Sequence, residues 1–183
     1  MAILKIARMG HPALMCRAEP VTDPASPEIR RLVADMLETM IDAGGAGLAA
    51  PQVHVPLRVV VFQAPAERSE GQSELYDHTA PLTVLINPVV EVIGPEREGG
   101  WEGCLSVPGM RGFVDRPAHI RYRGVDHEAH EIERVAKGFH ARVVQHECDH
   151  LDGILYPQRM SDLTKLIFES EARHWTVSED PQS

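Results

Sequence analysis

Four strand-like runs follow one another before the chain reaches its histidine-bearing helix, and that order constrains the fold more than any other feature. They are "RVVVFQ" (Arg58 to Gln63), "LTVLINPVVEVI" (Leu82 to Ile93), "HIRYRGVD" (His119 to Asp126) and "HEIERVA" (His130 to Ala136). The first two are rich in β-branched residues, and Asn87-Pro88 marks a kink or edge position in the second. A turn near His127–Ala129 joins the last two. Strands that precede a helix without alternating with helices predict an α+β fold. The expected architecture is antiparallel or mixed sheets packed around a central helix in the C-terminal half.

That helix is read from "GFHARVVQHECDHL", Gly138 to Leu151, with Gly153 as its stop. An earlier helix is read from "SPEIRRLVADMLETMIDAGG". Ser26 caps it, Pro27 suits its first position, and Ile29, Leu32, Val33, Met36, Leu37 and Met40 share one face. Gly44 and Gly45 end it. The polar stretch Ala64 to Pro81 predicts a mobile loop, and Ser161 to about His174 predicts a last amphipathic helix. Residues 1–175 are expected to form one catalytic domain, and 176–183 a disordered tail.

A net charge of −9 argues against general nucleic-acid binding. No run approaches the ~20 apolar residues of a membrane span, and the opening "MAILKIARMG" has no leader pattern. A cytoplasmic protein is expected. Cys16, Cys104 and Cys148 are too few and odd in number for a disulfide framework.

The chemistry concentrates in "QHECDHLDG", Gln145 to Gly153. On a helix His150 lies ~40° around from His146 and one turn along, so both imidazoles can grip one metal ion. Glu147, ~60° from His150, flanks that ion as a general base would. Cys148 falls ~200° from His146 and reads as a buried core thiol. The pattern by itself equally describes a surface helix with scattered histidines. A catalytic site also needs a third protein ligand, and Cys104 in "GGWEGCLSVPG" is the candidate, its alternative being a half-buried strand cysteine. In "GGAGLAAPQ", Gly44 to Gln52, small residues let backbone approach a ligand, and Gln52 offers an amide donor for an oxyanion.

Taken together, Gly45-Ala46-Gly47-Leu48-Ala49-Ala50-Pro51-Gln52, Glu102-Gly103-Cys104-Leu105-Ser106 and His146-Glu147-Cys148-Asp149-His150 resemble, in order and rough spacing, the GxGLAAxQ, EGCxS and HExDH motifs of the peptide deformylase family. The resemblance covers about residues 2 to 160. It implies removal of the formyl group from the formyl-methionine of newly made polypeptides, with release of formate. It further implies one divalent metal ion on Cys104, His146 and His150, with Fe(II) expected and zinc, nickel or cobalt as substitutes. Glu147 is then the acid/base for a metal-bound water. Gln52 and the Leu105 amide form the oxyanion hole. Ala46, Gly47, Phe139 and Val143 border the methionine pocket. Ala46 stands where family members commonly carry valine or isoleucine, which implies a wider pocket. Some members dock on the ribosome through a basic C-terminal helix. From Arg159 to Trp175, three basic residues (Arg159, Lys165, Arg173) face three acidic ones (Asp162, Glu169, Glu171), which does not support that route. The rivals are another HExxH hydrolase, such as a metallopeptidase, and a closed structural metal site.

Overall fold

In the computed structural model, residues 2–66 and 78–175 are described. Most of the loop expected over Ala64 to Pro81, and the tail 176–183, lie outside them. The chain runs through α1 (Pro27–Asp42), β1 (Gly47–Ala49), β2 (Val59–Ala64), β3 (Ala80–Val92), β4 (Arg97–Cys104), β5 (Val107–Pro117), β6 (His119–Val125), β7 (Glu131–Lys137), α2 (Gly138–Leu151) and β8 (Leu166–Phe168). The strands form two antiparallel sheets, one in the order β1-β2-β3-β6-β7 and one in the order β4-β5-β8. The α+β class expected from the sequence is the one observed.

The five-stranded sheet is covered by a helix on each face. Successive residues of a strand point to opposite faces, and β2 uses both. Val60 and Phe62 join Leu85, Ile120 and Tyr122 against Ala141, Val144 and Leu151 of α2. Val59 and Val61 join Val84 and Ile86 against Val33, Met36 and Met40 of α1. Burying each such large side chain contributes about 1.5–3 kcal/mol, so this double layer fixes α2 firmly to the sheet. The Ser26 hydroxyl accepts the Ile29 N–H at the start of α1. Gly44, at φ +64°, ends the helix, with its N–H on Ile41 O and the Gly45 N–H on Met40 O. These are the two bonds of a Schellman stop.

Asn87 is the expected irregularity in β3. It takes φ +52°, the register shifts between Ile86 and Val89, and its amide bonds both backbone groups of Val21. One expectation fails. Ser161 to His174 is not an amphipathic helix. It forms a 3-10 turn at Leu163–Lys165, the strand β8 and a 3-10 segment at Glu169–His174. The edge of β5 at Met110–Gly112 offers Leu166–Phe168 a backbone partner, and that pairing overrides the helical pattern.

Candidate active site

Three pieces of chain meet in a cleft of about 690 Å³. The first is the strip Gly44 to Gly47 with the turn carrying Gln52. The second is the end of β4 and its hairpin. The third is the inward face of α2. Cys104 and Val107 are paired residues, so Leu105-Ser106 is a two-residue turn that aims the Cys104 side chain inward. Cys104 Sγ lies 3.3 Å from His150 Nε2. A ligand atom from each of Cys104, His146 and His150 falls within 4.8 Å of the others. A tetrahedral ion with bonds of ~2.3 Å to sulfur and ~2.0 Å to nitrogen holds two such ligands ~3.5 Å apart. The spacing and the donor types therefore fit one divalent cation. Cys148 is absent from this cluster. It packs, partly buried, behind α2, and burial pushes its thiol pKa up.

Behind the cluster lies a buried ionic frame. Glu102 Oε2 bonds His146 Nδ1 at 2.8 Å, which leaves Nε2 as that ring's ligand atom. The same carboxylate accepts two bonds from Arg116, at 2.6 and 3.0 Å, and one from Arg142 at 2.9 Å. Arg116 also donates to Asp149, which is held from the other side by Arg159. Burial opposes the charge on Glu102, yet the bonds and charges of His146 and Arg116 hold its pKa well below the usual carboxylate range. Arg142 further donates to the backbone carbonyls of Val114 and Glu98, tying α2 to the second sheet.

Burial, with the neighbouring His146 charge, keeps the His150 pKa well below its ordinary value, so its imidazole is neutral, as a ligand must be. Burial also lowers His146, but its bonds to Cys104 and Glu102 outweigh that and hold a proton there. A cation on the three ligands would take the place of the proton on His146 Nε2 and leave the Nδ1–H on Glu102.

Glu147 has no counterpart to this frame. It is buried, and its Oε2 has no hydrogen-bond partner among the described residues. Burial, opposed by His146, pushes its pKa up to about 7. Its carboxylate lies against Gly47, where an added Cβ would overlap it. Gln52 is fixed at both ends of its amide. Oε1 accepts the Ala49 N–H at 2.8 Å, and Nε2 donates to Ser106 Oγ at 3.0 Å and points at Cys104 Sγ at 3.6 Å.

All ten residues singled out in the sequence reach this site. Ala46, Gly47, Gln52, Cys104, Leu105, Phe139, Val143, His146 and Glu147 line the cleft, and His150 closes the cluster. The sequence reading quoted Glu102 and Asp149 within their motifs without giving them a role, and passed over Arg116 and Arg142. Glu102 had a signal, because it lies two positions before Cys104 on a strand and so shares its face. Asp149 had one as the fixed aspartate of the HExDH motif, whereas Arg116 and Arg142 had none that is local.

A helix that brings two imidazoles and a carboxylate against a strand thiol, in one cleft of an α+β fold, defines a class of protein whose centre has the donor set for a divalent cation and a buried carboxylate beside it. The chain belongs to the polypeptide deformylase family, whose pattern matches residues 3–166. It is 54% identical over 160 residues to "Peptide deformylase 1" of Bordetella pertussis, covering 87% of this chain and 89% of that one. The fold matches the crystal structure of peptide deformylase from Ehrlichia chaffeensis with a TM-score of 0.82 at 36% identity, over 89% of this chain and 90% of that one. It also matches the Met-Ala-Ser-bound class I type b peptide deformylase of Acinetobacter baumannii, with a TM-score of 0.77 at 35% identity, over 86% and 98% of the two chains.

Proposed function

We propose that this chain, acting as a single catalytic domain over residues 1–175 in the cytoplasm, removes the formyl group from the N-terminal formyl-methionine of newly made polypeptides and releases formate. The observation that carries the reading is Glu147, a buried carboxylate with an unpartnered oxygen and a pKa pushed up to about 7, beside a three-ligand cluster in an open cleft. A closed structural metal site would leave that carboxylate without a task, and a Cys-His-His set differs from the third histidine or glutamate usual in HExxH peptidases. The Met-Ala-Ser bound to the Acinetobacter baumannii relative agrees with a pocket that takes methionine.

Cys104, His146 and His150 hold one divalent cation, Fe(II) in the cell by family likeness, with zinc, nickel or cobalt as substitutes. When bound, the cation supplies Lewis acidity toward a water and the formyl oxygen. Glu147 takes the proton of the attacking water and returns it to the leaving amine; a pKa near 7 suits both transfers. Gln52 Nε2, already oriented by Ala49 and Ser106, donates to the oxyanion together with the Leu105 backbone N–H. Glu102 acts through His146, whose ring it orients. Phe139 and Val143 form the apolar wall for the methionine side chain, with Gly47 beside it and Ala46 leaving room on the opposing strip.

Formate release from formyl-Met-Ala-Ser tests the reading. Turnover is expected in the native protein, with a loss of about 10²–10⁴-fold and intact metal content in Glu147→Ala. Formyl-Met is expected to be preferred over formyl-Phe, with the Met/Phe ratio of kcat/KM rising in Ala46→Val, because an apolar pocket discriminates by only ~1–3 kcal/mol per methylene. Absence of formate sinks the function, and a Glu147→Ala protein with near-normal turnover sinks the role.

A further inference from the structure

We propose that a second groove beside the active cleft receives the part of the polypeptide substrate that follows its first residues, and that this groove favours acidic side chains. The inference rests on the deformylase reading above. The groove has about 760 Å³ of space between the N-terminal segment around Ile3 to Arg8, the end of α1 and His54. Leu105 and Pro108 border both this groove and the active cleft, so the two spaces adjoin. One continuous strip of chain also runs through both. Asp42 and Ala43 line the groove, and Gly44, Gly45, Ala46 and Gly47 line the cleft. A polypeptide with its formyl group at Glu147, laid along that strip away from Gly47, arrives at Asp42 after at most five residues of strip. At ~3.3–3.6 Å per extended residue, the groove is reached at about the fourth or fifth residue of the substrate.

The groove is built into the frame of the site. The Ala7 N–H donates to Gln52 O and the Met9 N–H donates to Ser106 O, both at 2.7 Å. Its outer wall is thus bonded to the backbone of Gln52, which carries the amide, and of Ser106, which orients it. Its floor is apolar, with Leu4, Ile6, Ala43 and Leu105, and Ile3 is 53% exposed at its edge. Its rim is cationic in a chain of net charge −9. Lys5 and Arg8 are exposed there against one carboxylate, Asp42. His11 and His54 stand beside them with ring centroids 4.6 Å apart, and His11 Nδ1 accepts the Ala13 N–H, which leaves its Nε2–H as a donor. Apolar floor, basic rim and continuity with the cleft together select a polypeptide carrying carboxylates.

The test compares formyl-Met-Ala-Ser with two formylated octapeptides that begin with the same three residues and carry glutamates or lysines at positions 4–7. The glutamate octapeptide is expected to exceed the lysine one about three- to fivefold in kcat/KM, mostly through KM, with the gap narrowing as salt is raised. In Lys5→Glu with Arg8→Glu the order reverses, while the tripeptide, too short to reach the groove, serves as the standard in both proteins. Lys5→Glu alone is expected to remove part of the gap. Fluorescence anisotropy with unformylated, labelled forms of the octapeptides gives a readout independent of turnover, and the same ranking is expected. A tripeptide that is turned over while both octapeptides behave alike, or a preference indifferent to the charge reversals, overturns the groove and leaves the deformylase reading standing. A tripeptide that yields no formate overturns that reading and, with it, the groove's role.

Discussion

Glu147 and Gly47 form a pair in which a missing atom matters as much as the one present. The backbone of Gly47 is not in the left-handed region, so alanine is conformationally acceptable there, and the atoms nearest an added Cβ are those of the Glu147 side chain. Gly47→Ala is therefore expected to fold and to keep its metal, while displacing the acid/base and lowering kcat by ~10²-fold or more. Formate kinetics beside metal analysis check this, and a variant that fails only in metal content would place the defect elsewhere. At this scale the sequence was legible where a single element sets the geometry. His146, Glu147 and His150 share one helix, so their spacing alone brings two imidazoles and a carboxylate together. The sequence was opaque where two distant residues meet in space. Arg116 reaches Glu102 from 14 positions away across two strands, and no periodicity reports that contact.

At the scale of elements, α2 is the joint of the molecule. One side of it is apolar and packs on the five-stranded sheet, while Arg142, Gln145, His146 and Asp149 reach the second sheet through Glu98, Val114, Pro117, Glu102 and Arg116. Removing one partner of such a buried pair leaves the other charge uncompensated, at a cost of roughly 3–5 kcal/mol. Arg116→Met removes the shared partner of Glu102 and Asp149, which are then left to Arg142 with His146 and to Arg159, and is expected to cost up to that much. In a chain of this length that corresponds to roughly 6–20 °C in Tm, read by thermal denaturation. A change below about 3 °C would mean the frame relaxes or takes in water. Element types were mostly legible because periodicity and caps coincide, as at Ser26 and Gly44. The C-terminal segment was misread for a definite reason. Leu166, Ile167 and Phe168 sit in a pattern compatible with a helical face, but only the unpaired edge of β5 decides their conformation. Lys165 then settles over the Phe113 ring, 4.8 Å from its centroid.

At the scale of the whole molecule, the cluster joins parts of the fold that no single strand links. Cys104 ends β4 of the three-stranded sheet, whereas His146 and His150 belong to the helix seated on the five-stranded sheet. A cation bound by all three is a cross-link between the layers, and it exists only in the folded chain, because the ligands lie 42 and 4 positions apart in sequence. Binding to the native state alone stabilises by RT ln(1 + [L]/Kd), about 2.7 kcal/mol when free metal is a hundredfold above Kd. For a chain of this size that is about 5–10 °C in Tm. Stripping the metal with a chelator is therefore expected to lower Tm by about that amount, and adding Zn²⁺ or Ni²⁺ to restore it. Cys104→Ala should lose most of the restoration, because two imidazoles from one helix hold the ion without bridging to the second sheet. Cys148→Ala, whose thiol lies behind α2, should keep it. A Tm indifferent to metal, or a Cys104→Ala protein that recovers as fully as the native one, would show that the cation does not join the two layers.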